Sequence, residues 1–133
     1  MAEQQAQDGE RDVALESLDA LCRAVRASIA DAEEILVRAG HLRAEREAGR
    51  SYAQIVPAEG RPLIVELLTS ITARLSETGS RWRREEARAL HAEGLTMDRI
   101  AALFGVTRQR VSALLRSGGP DRGGGPARGA GGP

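Results

Sequence analysis

The chain has 133 residues, enough for one compact domain or two very small ones. Only 2% of the residues are aromatic, so a core must be built from Leu, Ile, Val and Ala, which argues against a β-sandwich or barrel. The net charge is zero, but residues 1–79 carry 9 Arg and 14 acidic groups, whereas residues 80–133 carry 10 Arg and 5 acidic groups. We expect this asymmetry when one half meets nucleic acid and the other meets protein.

The sequence also shows which kinds of functional site are not expected in this chain. A single cysteine, Cys22, excludes an intramolecular disulfide, and no metal or cofactor site is indicated. No apolar run of about 18 residues and no signal-peptide pattern occurs, so we predict no membrane partner. No nucleophile–base pair, carboxylate pair or phosphate-binding loop stands out. We therefore predict that the protein is not an enzyme.

The N-terminal part is predicted to be one long helix. Residues 1–10 are polar and predicted to be disordered, and residues 11–48 follow a helical pattern with a weak point at Gly40. Apolar residues recur there at alternating spacings of three and four, which is a heptad pattern. We call this set the α1 seam; it consists of Leu15, Leu18, Cys22, Val25, Ile29, Ala32, Leu36 and Ala39.

Two interpretations of the α1 seam remain open: packing within the chain, or contact with a second copy. We favour a homodimer, because no other predicted element looks long enough to cover this helix. The predicted dimerisation residues are Leu15, Leu18, Cys22, Val25, Ile29 and Leu36. Cys22 itself is interpreted as a small buried hydrophobic residue.

Residues 49–79 are predicted to form a helical linker and scaffold. Pro62 is placed in the first turn of a helix, and Gly79 within residues 76–80 is expected to break that helix. A further helix is predicted from Arg81 to Glu93, with Gly94 as its C-terminal glycine. No strand pattern appears, so the predicted class is all-α: a long N-terminal helix followed by a helical bundle.

The chain also resembles itself at an offset of 45 residues. Gly49 aligns with Gly94, Ser51 with Thr96, and Ile55 with Ile100, and without gaps Gly60 falls on Gly105. The first copy would be a degenerate helix-turn-helix, because Pro57 lies inside its middle helix and Glu59, Arg61 and Glu66 replace apolar residues. A chance match between two helical segments remains the alternative.

Residues 80–117 carry the most specific pattern. Thr96 is predicted to cap a helix that reaches Phe104, and Thr107 to cap a last helix that reaches Arg116. Two helices that cross tightly need a small residue at the contact, a glycine in the turn and apolar residues at fixed places. From Met97 onward these places hold Ile100, Ala101, Phe104, Gly105, Val106, Val111 and Leu114.

This segment resembles the helix-turn-helix of bacterial transcription regulators, in particular the promoter-reading C-terminal region of sigma factors. The resemblance covers residues 81–116 and implies a second helix that enters the DNA major groove. It also implies a cytoplasmic, nucleoid-associated bacterial protein. The Gly/Pro/Arg-rich residues 118–133 are predicted to be a disordered tail.

Candidate contacts with double-stranded DNA follow from the outer face of the last helix. Arg and Gln suit bidentate contacts with base edges, and Ser touches either base or phosphate. The predicted base contacts are Arg108, Gln109, Arg110 and Ser112, and the predicted phosphate contacts are Thr107, Arg81, Arg83, Arg84 and Arg88. For the last four, a solvated surface paired with Glu85 and Glu86 is the alternative.

The sequence therefore predicts a sequence-specific DNA-binding protein that regulates transcription. Two other functions remain open. One is a protein-interaction module that contacts RNA polymerase or another regulator. The other is a weakly specific chromosome-architecture protein.

Overall fold

A computed structural model describes residues 11–117, and the disorder predicted for residues 1–10 and 118–133 lies outside this range. Within it the chain is helical, with no strand, which confirms the all-α class. The helices are α1 (Val13–Glu47), α2 (Tyr52–Ala58), α3 (Ile64–Ala92), α4 (Met97–Phe104) and α5 (Arg108–Arg116). Two compact units meet within α3, between Glu85 and Glu86, and each is described separately.

Helix α1 begins and ends at defined caps. The Asp12 side chain accepts a hydrogen bond from the Leu15 N–H, which satisfies one unpaired donor of the first turn. At the other end Gly49 has a φ of 91°, and its N–H donates to the carbonyl of Arg46. This left-handed glycine ends the helix in a Schellman motif. The predicted long helix is confirmed, and it runs through Gly40 without a break.

In the first unit α1 and α3 run antiparallel. The Arg74 guanidinium of α3 donates to the Ser28 hydroxyl at 3.2 Å and lies 3.1 Å from the Asp31 carboxylate, both on α1. Further along α1, Arg38 donates to the carbonyl of Pro62, which precedes α3. Residues of increasing number on α1 therefore lie beside residues of decreasing number on α3.

The face of α1 that is buried differs from the α1 seam. Ser17, Ala24 and Ser28 are buried, whereas five of the six predicted dimerisation residues are exposed and Leu18 is half-buried. The expectation that Cys22 is buried is wrong, since it is exposed. The argument that no element could cover α1 is wrong as well, because α3 has 29 residues and contacts it. Half-buried Leu21, Ile35 and Leu42 continue the same face at heptad spacing, so large and small residues share it.

The start of α3 lies two residues beyond Pro62. The Ile64 N–H donates to the Glu59 carboxylate and the Leu63 N–H donates to the Glu66 carboxylate, both at 3.1 Å. These carboxylates cap the N-terminus of α3, where the helix dipole also favours negative charge. The placement of Pro62 in the first helical turn is therefore wrong.

The predicted helix break at residues 76–80 is also wrong. Helix α3 continues without interruption from Ile64 to Ala92, through Gly79. A glycine inside a helix costs only about 1 kcal/mol relative to alanine, and there is no proline to remove a hydrogen bond. The Thr78 hydroxyl donates to the Arg74 carbonyl within the helix, so this polar side chain does not compete with helix formation.

The internal similarity holds in the first half of each copy. Gly94 has a φ of 102° and ends α3 as Gly49 ends α1. Ser51 caps α2 and Thr96 caps α4, each through its hydroxyl. The similarity stops at Gly60, which lacks the positive φ that Gly105 has.

The core of the second unit contains the residues predicted for it. Ile100 and Val111 are fully buried, and Leu114 and Ala101 are 6% and 7% exposed. Ala87 of α3 completes the buried cluster, and half-buried Phe104 and Val106 pack against it. The cluster joins α4 and α5 to the last two turns of α3.

Candidate nucleic-acid interface

Helix α5 is held against α4 by a turn of three residues, Gly105, Val106 and Thr107. Gly105 has a φ of 65°, a left-handed conformation that side-chain-bearing residues rarely adopt. The N–H of Val106 donates to the carbonyl of Ala101 at 3.1 Å, which closes the end of α4. Thr107 then starts α5 by accepting a hydrogen bond from the Arg110 N–H, as predicted for a capping residue.

One face of α5 is buried and the other is polar. Val111 and Leu114 point into the core, as predicted. Arg108, Gln109 and Arg110 are exposed in the first turn, and Ser112 is half-buried. Three of the four predicted base-contacting residues thus form one solvent-facing end of α5, with Ser112 at its edge.

Arg108 has an acidic neighbour that its position in the sequence does not predict. Its Nε atom lies 3.8 Å from Oδ1 of Asp98, in the first turn of α4. Both side chains remain mostly exposed, so this is a loose, solvent-screened ion pair. The spacing of ten residues across the turn gave no simple helical signal for the contact.

The predicted phosphate-contacting residues are divided between the two units. Thr107 and Arg88 belong to the second unit, whereas Arg81, Arg83 and Arg84 belong to the first. Arg83 is exposed, and Arg81, Arg84 and Arg88 are half-buried. The Arg88 guanidinium donates to the Ser117 carbonyl just beyond α5, so it helps to hold that helix against α3. Contact of these residues with phosphate stays a prediction.

The exposed end of α5 carries groups that are suited to binding. The exposed end of α5 offers guanidinium and amide groups, which form hydrogen bonds with base edges and phosphates. Among residues 11–117 no group of three or more His, Cys, Asp or Glu side chains is arranged to hold a metal ion. In the same part of the chain, no helix has the length and apolar character needed to span a membrane.

Comparisons with known proteins do not assign this chain to a family. No family model, no curated protein sequence and no solved structure matches this chain. Its function therefore has to be argued from its own residues.

Proposed function

We propose that this chain is a sequence-specific DNA-binding regulator of transcription, with α4 and α5 acting as a helix-turn-helix. In this proposal α5 lies in the major groove, where Arg108, Gln109 and Arg110 contact base edges and Ser112 assists. Thr107 presents its hydroxyl and the N-terminus of α5 to a phosphate.

The observation that carries the proposal is the division of α5 into two faces. Val111 and Leu114 are 0% and 6% exposed, while the first turn presents three polar side chains to solvent. A helix that served only to complete a core would not need two arginines and a glutamine at one exposed end. The left-handed Gly105 and the small Ala101 at the contact meet the requirements of tight helix crossing.

A homodimer is the second part of the proposal. The exposed α1 seam, with Leu15, Val25, Ile29 and Leu36 between 41% and 73% exposed, is the surface that supports it. Two copies related by a two-fold axis would place two α5 helices on an inverted-repeat site. The acidic N-terminal half remains available for protein contacts, RNA polymerase included.

Salt-dependent binding to duplex DNA tests the proposal. The full chain is titrated into labelled duplexes of random sequence over a series of salt concentrations, followed by fluorescence anisotropy. We expect the double variant Arg108→Ala/Arg110→Ala to bind at least about 10-fold more weakly. The matched control is Arg43→Ala/Arg61→Ala, which also removes two charges from side chains that are 81% and 79% exposed. Equal binding by both double variants would overturn the assignment of α5.

Two alternatives correspond to other outcomes. The exposed apolar seam favours a protein-interaction module, which predicts no DNA binding by the wild-type chain at any salt concentration. A weakly specific architectural protein would bind DNA, but selection from random oligonucleotides would return no consensus. A consensus with two-fold symmetry supports the regulator.

A further inference from the structure

Both long helices of the first unit carry two apolar stripes, one buried and one exposed. On α3 the buried stripe is built on Leu67 with half-buried Ile64 and Ile71. A second stripe lies one residue further along, at Val65, Leu68, Thr72 and Leu75, and all four are exposed. Its spacings of three, four and three match those of the α1 seam.

On α1, too, the exposed stripe lies one residue further along the chain than the buried one. Ser17, Ala24 and Ser28 are buried, and the residues one position later are Leu18, Val25 and Ile29. Val25 and Ile29 are 41% and 54% exposed. On each helix, therefore, the exposed stripe is rotated by one residue, about 100°, from the buried one.

The two exposed stripes lie on the same side of the helix pair. Viewed from the N-terminus of α1, residue numbers advance clockwise on α1 and anticlockwise on the antiparallel α3. A rotation of about 100° from the facing direction then turns both stripes to one side. The contact of Arg74 with Ser28 and Asp31 sets the register, which places Leu75 beside Ile29 and Leu68 beside Leu36.

We define this surface as the hairpin face. It comprises Leu18, Cys22, Val25, Ile29 and Leu36 of α1 and Val65, Leu68, Thr72 and Leu75 of α3. It contains no charged residue. The stripe of α1 extends about 27 Å from Leu18 to Leu36, and the stripe of α3 extends about 15 Å from Val65 to Leu75. With each helix about 10 Å wide, the projected area is roughly 420 Å². This lies below the range of about 600–1,000 Å² per partner of standard specific interfaces, so the contact belongs to the class of weak interfaces.

The two ends of the chain offer no large aliphatic residue or phenylalanine to cover the hairpin face. Residues 1–10 and 118–133, the only ones not described, contain no Leu, Ile, Val or Phe. A four-helix bundle needs four stripes of the same heptad spacing, because the side chains of one helix then fit between those of the next. One hairpin face has two such stripes, and the hairpin face of a second copy would provide the other two.

We propose that the hairpin face binds the hairpin face of a second copy, and that α1 and α3 of both chains form a four-helix bundle. This deepens the homodimer of the proposed function by making α3 part of the interface. It differs from a two-helix coiled coil of α1 alone. It does not depend on DNA binding, and it is tested without DNA, so the two proposals can fail separately.

Sedimentation equilibrium of the full chain provides the first test. We expect a mass of two chains for the wild type, and a dimer dissociation constant at least about 30-fold higher for Leu68→Asp and for Ile29→Asp. Val37→Asp is the matched control, because Val37 is 53% exposed, close to the 55% of Leu68 and the 54% of Ile29, but lies on α1 outside the hairpin face. Circular dichroism checks that each variant remains helical.

Thiol protection tests the same contact with mild changes. Cys22 is the only thiol, and it lies in the hairpin face. Its alkylation by maleimide should slow as the concentration of the chain rises. In a Cys22→Ser background, Leu68→Cys should show the same protection, and Val37→Cys should not.

Several results would overturn the proposal. A wild-type monomer at all concentrations would show that another partner covers the face. Dissociation by Ile29→Asp with no effect of Leu68→Asp, or protection of a thiol at position 22 but not at 68, would show a coiled coil of α1 alone.

Discussion

The Nε atom of Arg108 lies 3.8 Å from Oδ1 of Asp98, which brings the first turn of α5 beside the first turn of α4. The two side chains are 67% and 73% exposed, so their attraction is screened by water and contributes at most about 1 kcal/mol. Arg108 can therefore leave Asp98 at little cost when it meets a stronger anion. Asp98 thus places a negative charge beside the proposed DNA-binding end of α5.

Replacing Asp98 should strengthen DNA binding. We expect Asp98→Asn to lower the dissociation constant for duplex DNA about 3-fold or more at low salt, because a negative charge is removed beside Arg108. Fluorescence anisotropy across a salt series measures the effect. Glu93→Gln is the matched control, since it removes one negative charge from an exposed position of the same unit, next to the end of α3. An equal gain for both variants would mean that only net charge matters.

The turn before α5 should depend on glycine at position 105. Gly105→Ala is expected to destabilise the fold by about 1–2 kcal/mol, because its φ of 65° is unfavourable for a residue with a side chain. No atom lies within 4 Å of the added methyl group, so the cost comes from the backbone conformation and not from a steric clash. Gly40→Ala, inside α1 with the same open space, should instead stabilise by about 0.5–1 kcal/mol. Urea unfolding at one fixed chain concentration gives both values, and opposite signs are required.

The core of the second unit should respond strongly at Ile100 and weakly at Leu103, although both belong to α4. Ile100 is 0% exposed, and Ile100→Ala should cost about 2–5 kcal/mol through lost burial and a cavity. Leu103 is 66% exposed, so Leu103→Ala should change stability by no more than about 0.5 kcal/mol. The free energies of unfolding from urea titrations compare them. Similar costs at the two positions would contradict the orientation of α4.

The contact between Arg74 and Asp31 should stabilise the fold more than an exposed ion pair does. Their side chains are 32% and 28% exposed, and Arg74 also donates to the Ser28 hydroxyl. A double-mutant cycle with Arg74→Ala and Asp31→Ala should give a coupling energy of about 1 kcal/mol. The exposed pair of Arg43 and Glu47 serves as the control and should show a smaller coupling. A coupling energy near zero for Arg74 and Asp31 would contradict the packing of α3 on α1.

Local signals determined most of the helix ends. Thr96 and Thr107 were predicted as caps because a side-chain hydroxyl can satisfy a backbone N–H of the first turn whatever the rest of the chain does. Gly94 was predicted as a helix end because the left-handed conformation favours glycine. The core positions Ile100, Val111 and Leu114 also followed from spacing, since two short helices joined by a tight turn have few ways to pack.

Signals that depend on a distant partner were misread. Gly79 resembles a helix end in the sequence, but α3 continues through it because the cost of one glycine is small beside the stability of a long packed helix. The capping roles of Glu59 and Glu66 are local, since their donors are five and three residues away; they were missed because the start of α3 was placed at Pro62.

The helical class, the two capped helices at residues 96–116 and the polar end of α5 could be predicted from the amino-acid sequence, because these features depend on neighbours within a few residues. Which stripe of α1 is buried depends instead on how α3 packs against it. Heptad spacing occurs twice on that helix: once in the α1 seam and once in a stripe that contains Ser17, Ala24 and Ser28 together with half-buried Leu21, Ile35 and Leu42. Spacing alone cannot tell which stripe meets α3. The second stripe is the buried one, on the side where Ser28 and Asp31 accept hydrogen bonds from Arg74, and the α1 seam is left exposed.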